Sequence, residues 1–401
     1  MNTEPVRRWT HWAWKGLRST WPVHRSAILS GCAAAAVATV LTIILSCYPA
    51  HPRRDLSPDT PLVRARLASG TTTLRVSANS TGTWSVRETG RKILGGTGPW
   101  KVEAWSGGIR IGGRTVFGSS LVLSAPESGF TLGDSTYPGR LVVRRGKSGL
   151  TAVNTLSIER YLRGVVPSEM PALWPQDALA AQAVAARTFV LHKIRRNRGE
   201  PWNLEALDLA YTGTTRVHPA ATRAIRQTEG MALTYEGDVF KAYFHSTCGG
   251  HTAPADKVFG DTDIPPMQGV PCKWCRDSSY YSWQARMSSS KLASGLSSFG
   301  IEKVSTIRAQ GRGEDGHARA IRVNGKKINA NRFRLAVGAQ KLRSTNFTVE
   351  KRGGAFVFSG HGWGHGVGMC QWGAQGLARS GKGWRQILQH YYPGSSLRKV
   401  Y

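Results

Sequence analysis

The chain has 401 residues, of which 40 % are hydrophobic, so it is long enough for two compact units with buried cores. It carries 54 Lys and Arg against 24 Asp and Glu, a formal net charge of +30, which favours an anionic partner. The basic residues are spread along the whole chain and form no module of Lys and Arg interleaved with aromatics. We therefore expect no nucleic-acid partner.

An uncharged stretch lies near the N-terminus, at residues 26–48. At about 1.5 Å of rise per residue, a helix of this length crosses a hydrocarbon core of roughly 30 Å. Lys, Arg and Trp side chains precede it, and the positive-inside bias would keep residues 1–25 in the cytoplasm. We predict a single-pass protein of the cytoplasmic membrane, with a transmembrane signal anchor at 26–48, a linker at 49–61 and an extracytoplasmic remainder. A cleaved signal peptide and a lipoprotein cleavage box at 44–47 are the alternatives.

For the extracytoplasmic part, residues 62–401, the sequence predicts an α+β fold in two portions. Residues 62–150 contain short apolar runs broken by glycine, such as TTLRVSA and WKVEAW, which are typical of strands. Residues 151–401 mix helices and strands, form the predicted catalytic core and contain a cysteine-rich loop. The predicted helices are Leu156 to Tyr161, followed by a loop over VVPSEMP, Gln176 to Arg196, Pro219 to Glu229, Gln371 to Arg379 and Gly383 to His390.

One carboxylate, Glu169, stands between two prolines in the segment VVPSEMP. Prolines stiffen the backbone, and apolar neighbours raise the pKa of a carboxyl group, so that it stays protonated near neutral pH. A protonated, oriented carboxyl group is suited to general acid catalysis. We therefore select Glu169 as the candidate catalytic acid and base, the alternative being an exposed loop glutamate.

A cluster of metal-ligating residue types begins at His245 with HSTCGGH and continues with CKWC. The residue types and spacing are those of a closed tetrahedral zinc site. We predict a structural Zn²⁺ held by Cys248, His251, Cys272 and Cys275, with His245 in reserve. A disulfide is the alternative, because an oxidising compartment would permit one. A catalytic zinc is disfavoured, because no HExxH helix accompanies the cluster.

A glycine-rich segment, GHGWGHGVGMCQWGA, begins at Gly360. Its glycines let the backbone approach a ligand closely, and Trp363 and Trp372 offer flat apolar faces of the kind that sugars contact. His365 and Gln371 supply hydrogen bonds suited to hydroxyl and acetamido groups. We predict that these four side chains bind a saccharide. A glycine-rich turn packed on aromatic side chains is the alternative.

Four separated motifs together resemble the stage II sporulation protein D family, which includes amidase-enhancer-like proteins. They are SIERYLRGVVPSEMPALWPQDALAAQAVAARTF, FHSTCGGHT, GHGWGHGVGMCQWGAQGLA and ILQHYYPG. The resemblance runs from about residue 62 to Tyr401 and implies a lytic transglycosylase acting on peptidoglycan strands whose stem peptides an N-acetylmuramoyl-L-alanine amidase has removed. It places Glu169 at the family's catalytic glutamate, and it implies zinc near the HSTCGG segment, since some members bind it there.

These observations predict an enzyme that cleaves the bond between N-acetylmuramic acid and N-acetylglucosamine and leaves 1,6-anhydro ends. One glutamate suffices, because the muramoyl C6 hydroxyl is an internal nucleophile and no second carboxylate is needed to activate water. The basic charge would favour strands that expose free lactyl carboxylates. The alternatives are a non-catalytic glycan-binding enhancer of a cell-wall amidase and a zinc-dependent peptidoglycan hydrolase.

Overall fold

The computed structural model describes residues 60–401 apart from 118–119, 126–127 and 207. The predicted cytoplasmic segment 1–25, the predicted anchor 26–48 and all but the end of the linker 49–61 lie outside the described residues. Residues Pro61–Tyr401 form one compact unit. Within the described part of the chain, no helix combines the length and the apolar composition that a bilayer crossing requires.

The first part of the described chain is a β-sandwich. Its strands are β1 Leu62–Thr71, β2 Thr73–Ala78, β3 Gly82–Val86, β4 Lys92–Gly96, β5 Trp100–Trp105, β6 Gly108–Ile111, β7 Arg114–Phe117, β8 Ser120–Ser124, β9 Phe130–Leu132, β10 Ser135–Tyr137, β11 Arg140–Gly146 and β12 Gly149–Ser157. They form two six-stranded sheets, ordered β1-β12-β11-β8-β3-β4 and β10-β9-β2-β5-β6-β7. The sheets share one core, in which Trp84 and Trp100 meet edge to face with ring centroids 5.9 Å apart.

The sandwich extends past the predicted boundary at residue 150. Strand β12 continues to Ser157, because it pairs with β1 along its whole length and with β11 on its other side. A central strand gains two ladders of hydrogen bonds, so its residues stay extended until the first helix begins. The strand-rich α+β prediction is confirmed, with this later end to the β-rich part.

Eight helices lie in the remainder of the described chain, and all but α5 and α6 pack around a second core. They are α1 Ile158–Glu169, α2 Gln176–Arg196, α3 Pro219–Gln227, α4 Ala255–Phe259, α5 Ser289–Leu296, α6 Ala330–Val337, α7 Gln371–Arg379 and α8 Trp384–Tyr391. Helix α2 has the predicted bounds and is buried on nearly all sides from Ala178 to Leu191. Its many alanines allow α1, α3, α7 and α8 to approach it closely.

Helix α1 differs from the prediction, because it continues through the segment that was expected to be a loop. Pro167 lies inside its last turn, where only one intrahelical hydrogen bond is lost. The Ser168 hydroxyl donates to the Gly164 carbonyl at 2.8 Å, and Val165 and Val166 are fully buried. Burial of these apolar side chains keeps the turn helical despite the proline.

A third core belongs to a separate group of strands with α5 and α6. The strands are β16 Ser282–Ser288, β17 Ile307–Gln310, β18 Ala320–Val323, β19 Lys326–Asn329, β20 Phe347–Arg352 and β21 Ala355–His361. They form two three-stranded antiparallel sheets, β16-β21-β20 and β17-β18-β19. The other strands are β13 Met231–Tyr235, β14 Asp238–Val239, β15 Phe244–His245, β22 Met369–Cys370 and β23 Ser396–Lys399.

Candidate functional site

A short parallel pairing brings the predicted motifs together. Strand β15 lies beside β22, with His245 opposite Cys370. Farther along, Thr247 and Trp363 exchange backbone hydrogen bonds of 3.0 and 2.7 Å. The histidine and cysteine segment therefore lies directly against the glycine-rich segment. The helix that follows, α7, begins at Gln371 and reaches the end of α1.

Glu169 is the last residue of α1, and two neighbours fix it. The Ala210 N–H donates to its Oε1 at 2.6 Å, and the Gln371 side-chain amide donates to its backbone carbonyl at 3.0 Å. Burial raises the pKa of the Glu169 carboxyl above its ordinary value, and the Ala210 hydrogen bond opposes that rise only in part. The negative end of the helix dipole acts in the same direction as burial. Glu169 as a whole residue is intermediate in exposure, unlike its fully buried neighbours Val166 and Met170.

The loop that carries Ala210 was not identified from the sequence. Its neighbour Tyr211 donates a hydroxyl hydrogen bond to Asn154 at 2.8 Å, and Thr212 lies 3.0 Å from the Ser168 hydroxyl. These contacts hold the loop against both the sandwich and α1. A backbone N–H leaves no residue-type signature, so no pattern in the sequence pointed to it.

Two tryptophans lie close to the segment that follows Glu169. Trp174 and Trp372 pack edge to face with ring centroids 5.1 Å apart. The indole N–H of Trp372 has no hydrogen-bond partner among the described residues, and the intervening Leu173 is 89 % exposed. This pair offers an apolar surface beside the acid, of the kind that the faces of sugar rings contact.

The other predicted sugar-binding residues have protein partners of their own. Trp363 packs on Tyr280 at 4.2 Å between ring centroids. The Nδ1 of His365 accepts a hydrogen bond from the Val367 N–H at 3.1 Å. Burial lowers the pKa of His365 well below its ordinary value, so the ring is neutral at pH 7. Their binding of sugar stays a prediction, as does that of Gln371, whose amide already holds the Glu169 backbone.

Four cysteines converge behind these segments, and they correct the predicted ligand set. The Sγ atoms of Cys248, Cys272, Cys275 and Cys370 all lie within 4.8 Å of one another and are buried. Cys370 supplies the fourth sulfur in place of His251, because the β15–β22 pairing brings it beside Cys248. The ring of His251 instead lies against its own neighbour, with Nδ1 2.7 Å from the Thr252 carbonyl oxygen.

The geometry of the cluster fits a tetrahedral metal ion. With a Zn–S distance of about 2.3 Å, the sulfurs of a tetrahedral site lie roughly 3.8 Å apart. Cys248 and Cys275 are 3.5 Å apart, well beyond the about 2.05 Å of a disulfide bond. The N–H groups of Cys248 and Gly373 each lie 3.3 Å from the Cys370 sulfur, and the Tyr391 hydroxyl lies 3.1 Å from that of Cys272. Such donors stabilise ligating thiolates.

Gly373 is required for this packing. A Cβ at position 373 would lie 1.9 Å from the Tyr391 hydroxyl and 2.6 Å from the Cys272 sulfur. No side chain fits there without moving the sulfur cluster. The glycine therefore lets α7 begin directly against the cysteines while Gln371, two residues earlier, reaches Glu169.

Comparison with known proteins adds independent information. The family described as "Stage II sporulation protein" matches residues 146–235, and a domain of unknown function, DUF8618, matches residues 273–368. An uncharacterised protein of Brachyspira hyodysenteriae is 33 % identical over 292 residues, which cover 72 % of this chain and 78 % of that protein. Stage II sporulation protein D of Bacillus amyloliquefaciens is 32 % identical over 269 residues, 62 % of this chain and 76 % of that protein.

The amidase enhancer of Bacillus subtilis is 27 % identical over 286 residues, which cover 59 % of this chain and 40 % of that protein.

Fold and site define a strand-rich α+β protein that presents one shielded glutamate where a sandwich meets a helical core. Within that class, the chain belongs to the stage II sporulation protein D family. Its family and its similarity to the amidase enhancer support a cell-wall-related function.

Proposed function

We propose that this protein is a peptidoglycan lytic transglycosylase that acts on glycan strands stripped of their stem peptides. The observation that carries the proposal is the position of Glu169 at the end of α1, where the Ala210 N–H meets its carboxyl group at 2.6 Å and burial raises the pKa of that group. Asp208, the acidic residue two positions before Ala210, forms an ion pair with Lys193 at 2.8 Å and is thereby committed to another contact. Glu169 then acts without a second carboxylate.

In the proposed reaction Glu169 first donates a proton and then regains one. The protonated Glu169 donates to the oxygen between N-acetylmuramic acid and N-acetylglucosamine while the C1–O bond breaks and positive charge develops on the muramoyl ring. The muramoyl C6 hydroxyl attacks C1, and its proton passes to the Glu169 carboxylate. The products are a 1,6-anhydro end and a free GlcNAc hydroxyl, and Glu169 is protonated again. The Ala210 N–H stabilises the carboxylate formed between the two proton transfers.

We propose a structural zinc ion for the four-cysteine cluster. Bound there, it would join the loop of Cys272 and Cys275 to the start of α7 and thereby support the position of Gln371. Cys248, Cys272, Cys275 and Cys370 would hold it. The proposed reaction takes no step through the metal.

Location and partners follow from the same proposal. We propose that residues 26–48 anchor the chain in the cytoplasmic membrane and that its catalytic part faces the wall. An N-acetylmuramoyl-L-alanine amidase would prepare the substrate, in line with the name of the amidase enhancer relative. Removing each stem peptide exposes a lactyl carboxylate, which suits a chain with a formal charge of +30.

Purified full-length protein and denuded glycan strands test the activity. Wild type should release fragments, and Glu169→Gln should lower the rate by about 10³-fold, within the range that general acid–base catalysis supplies. Glu350→Gln is the matched control, because Glu350 forms only an exposed ion pair with Arg352 at 2.6 Å and should leave the rate unchanged. Release that persists in Glu169→Gln would contradict the assignment of the acid.

A non-catalytic role is the second candidate, and the similarity to an amidase enhancer favours it. Under that alternative, wild type would release no fragments from denuded strands but would raise the rate of an added amidase on intact peptidoglycan. Glu169→Gln would then stimulate the amidase as well as wild type does. The enzyme proposal predicts fragments without any amidase.

A further inference from the structure

A cavity lies in the module formed by strands β16 to β21 with helices α5 and α6, the group that contains the third core. It has a volume of about 510 Å³ and opens over the sheet β16-β21-β20. The region lies within the match to the domain of unknown function, and Glu169 does not line the cavity. The exposed side chains that line the cavity are hydroxyl, amide, imidazole and guanidinium groups.

The floor of the cavity presents rows of hydrogen-bonding side chains. Gln284, Ser359 and Thr348 lie opposite one another on three neighbouring strands, and all three are exposed. The Gln284 amide donates to the Ser359 hydroxyl at 3.2 Å. In the next row, the Ser282 hydroxyl lies 3.2 Å from the His361 Nδ1. Exposed rows of neutral donors and acceptors suit a ligand that carries many hydroxyl or amide groups.

Aromatic rings lie beneath these rows, on the opposite, core-facing side of the sheet. Trp283 and Phe347 lie on either side of Gly360, whose missing side chain makes room for the Trp283 ring. A Cβ at Gly360 would lie 2.5 Å from that ring. Trp283 is only 6 % exposed, and its indole N–H has no partner among the described residues. Trp283 and Phe347 thus support the sheet from its core side and leave the polar rows to face the cavity.

A fixed cation stands at the edge of the cavity. The Arg312 guanidinium donates to the carbonyl oxygens of Gly316 and Phe347, the latter at 2.7 Å, so its orientation is set before any ligand arrives. Among the described residues, no carboxylate lines the cavity or pairs with Arg312. An oriented arginine without an acidic partner favours an anionic ligand, because little side-chain entropy is lost on binding.

We propose that this cavity is a remote subsite for an acidic saccharide, namely a muramoyl residue of the same glycan strand, with its lactyl carboxylate on Arg312. This inference rests on the proposed function. The glycine-rich segment connects the two places, because His361 lines the cavity and Gln371 holds the Glu169 backbone. Even fully extended, the residues between them span at most about 35 Å, a distance that a strand of several sugars bridges.

Binding to the full-length Glu169→Gln protein tests the subsite without cleavage. The probes are denuded glycan oligosaccharides long enough to span both places and the same oligosaccharides with every lactyl carboxylate converted to a neutral methylamide. Calorimetric titration should show about tenfold weaker binding of the acidic probe by Arg312→Gln, the usual effect of losing a charge-assisted hydrogen bond. The matched control is Arg308→Gln, an exposed arginine of the same module outside the cavity, which should bind like its parent.

The neutral probe should bind Arg312→Gln and its parent equally. A second variant, Ser359→Trp, fills the cavity from its exposed side and should weaken binding of the acidic probe similarly, with the circular dichroism spectrum of the parent. If both variants bind the acidic probe with the affinity of the parent, the subsite is refuted. If Arg312→Gln weakens binding of the neutral probe as much as that of the acidic probe, the proposed preference for an acidic saccharide is refuted. If wild type cleaves the strands but binding does not depend on Arg312, the subsite is refuted and the enzymatic function is not. If binding depends on Arg312 but wild type does not cleave, the enzymatic function is refuted and the subsite is not.

Discussion

The glutamates at the two ends of α1 differ in their electrostatic partners. Glu159, in the first turn, receives two hydrogen bonds from the Arg187 guanidinium, at 2.7 and 2.9 Å, and one from the Tyr401 hydroxyl at 2.5 Å. The pair is almost fully buried, with side chains 0 and 4 % exposed. Glu169, in the last turn, has a backbone N–H as its hydrogen-bond donor and no cation among the described residues.

The difference separates a structural glutamate at one end of the helix from the proposed catalytic acid at the other. The helix N-terminus favours a negative charge and the C-terminus disfavours it, so each carboxyl group lies where the dipole supports its role. Arg187 also donates to backbone carbonyls of Met231 and Ile225, which ties the ion pair to the surrounding core. A paired, buried charge stabilises this arrangement, whereas an unpaired, desolvated carboxyl group is free to exchange its proton.

The largest expected contrast is in stability. Glu159→Gln leaves Arg187 buried without its counter-charge, and breaking a buried pair in this way costs about 3–5 kcal/mol. Glu169→Gln removes no ion pair and should change the free energy of unfolding by less than about 1 kcal/mol. Urea unfolding followed by circular dichroism measures both. Equal destabilisation by the two substitutions would break the distinction drawn between the ends of α1.

A smaller effect is expected at the cysteine cluster, where a cation would again neutralise buried negative charge. Zinc-loaded protein should contain about one equivalent of metal. Cys370→Ser should lose most of it and lower the unfolding temperature, whereas His251→Gln should retain it. Elemental analysis after gel filtration decides between the two ligand sets. Metal loss in His251→Gln with retention in Cys370→Ser would contradict the cluster described here.

The smallest expected effect is a shift with pH. Because burial raises the pKa of Glu169, the active protonated form persists to higher pH than for an exposed glutamate, and the rate should fall as pH rises through the raised value. The same shift makes Glu169 contribute stability below the unfolded pKa of about 4.3, a contribution lost as pH rises through the folded pKa. Glu169→Gln should remove that part of the stability profile. Coincident profiles for wild type and variant would exclude a raised pKa.

Much of this arrangement follows from local sequence. The bounds of α2 followed from the proline before Gln176 and from the basic residues and Gly199 at its end. The strand-rich character of the first part followed from short apolar runs between glycines. Glu169 was singled out by its prolines and apolar neighbours. Pro167 misled the prediction of α1, because the helix tolerates a proline in its last turn when the adjacent side chains are buried.

Contacts between distant parts of the chain could not be predicted from the sequence. Cys370 was visible in the glycine-rich segment, but its place beside Cys248 depends on the parallel pairing of β15 with β22. His251 had the expected spacing and the wrong location. The Ala210 N–H and the Arg187–Glu159 pair join residues separated by tens of positions, and residue type alone does not specify such partners.

The central claim is that one carboxyl group transfers a proton while the muramoyl ring supplies its own nucleophile. Digestion of denuded glycan in water enriched in ¹⁸O, followed by mass spectrometry of the new ends, tests it most directly. The account predicts 1,6-anhydro-muramoyl ends that contain no ¹⁸O, because no water enters the reaction. Reducing ends labelled with ¹⁸O would show hydrolysis and contradict a mechanism that depends on Glu169 alone.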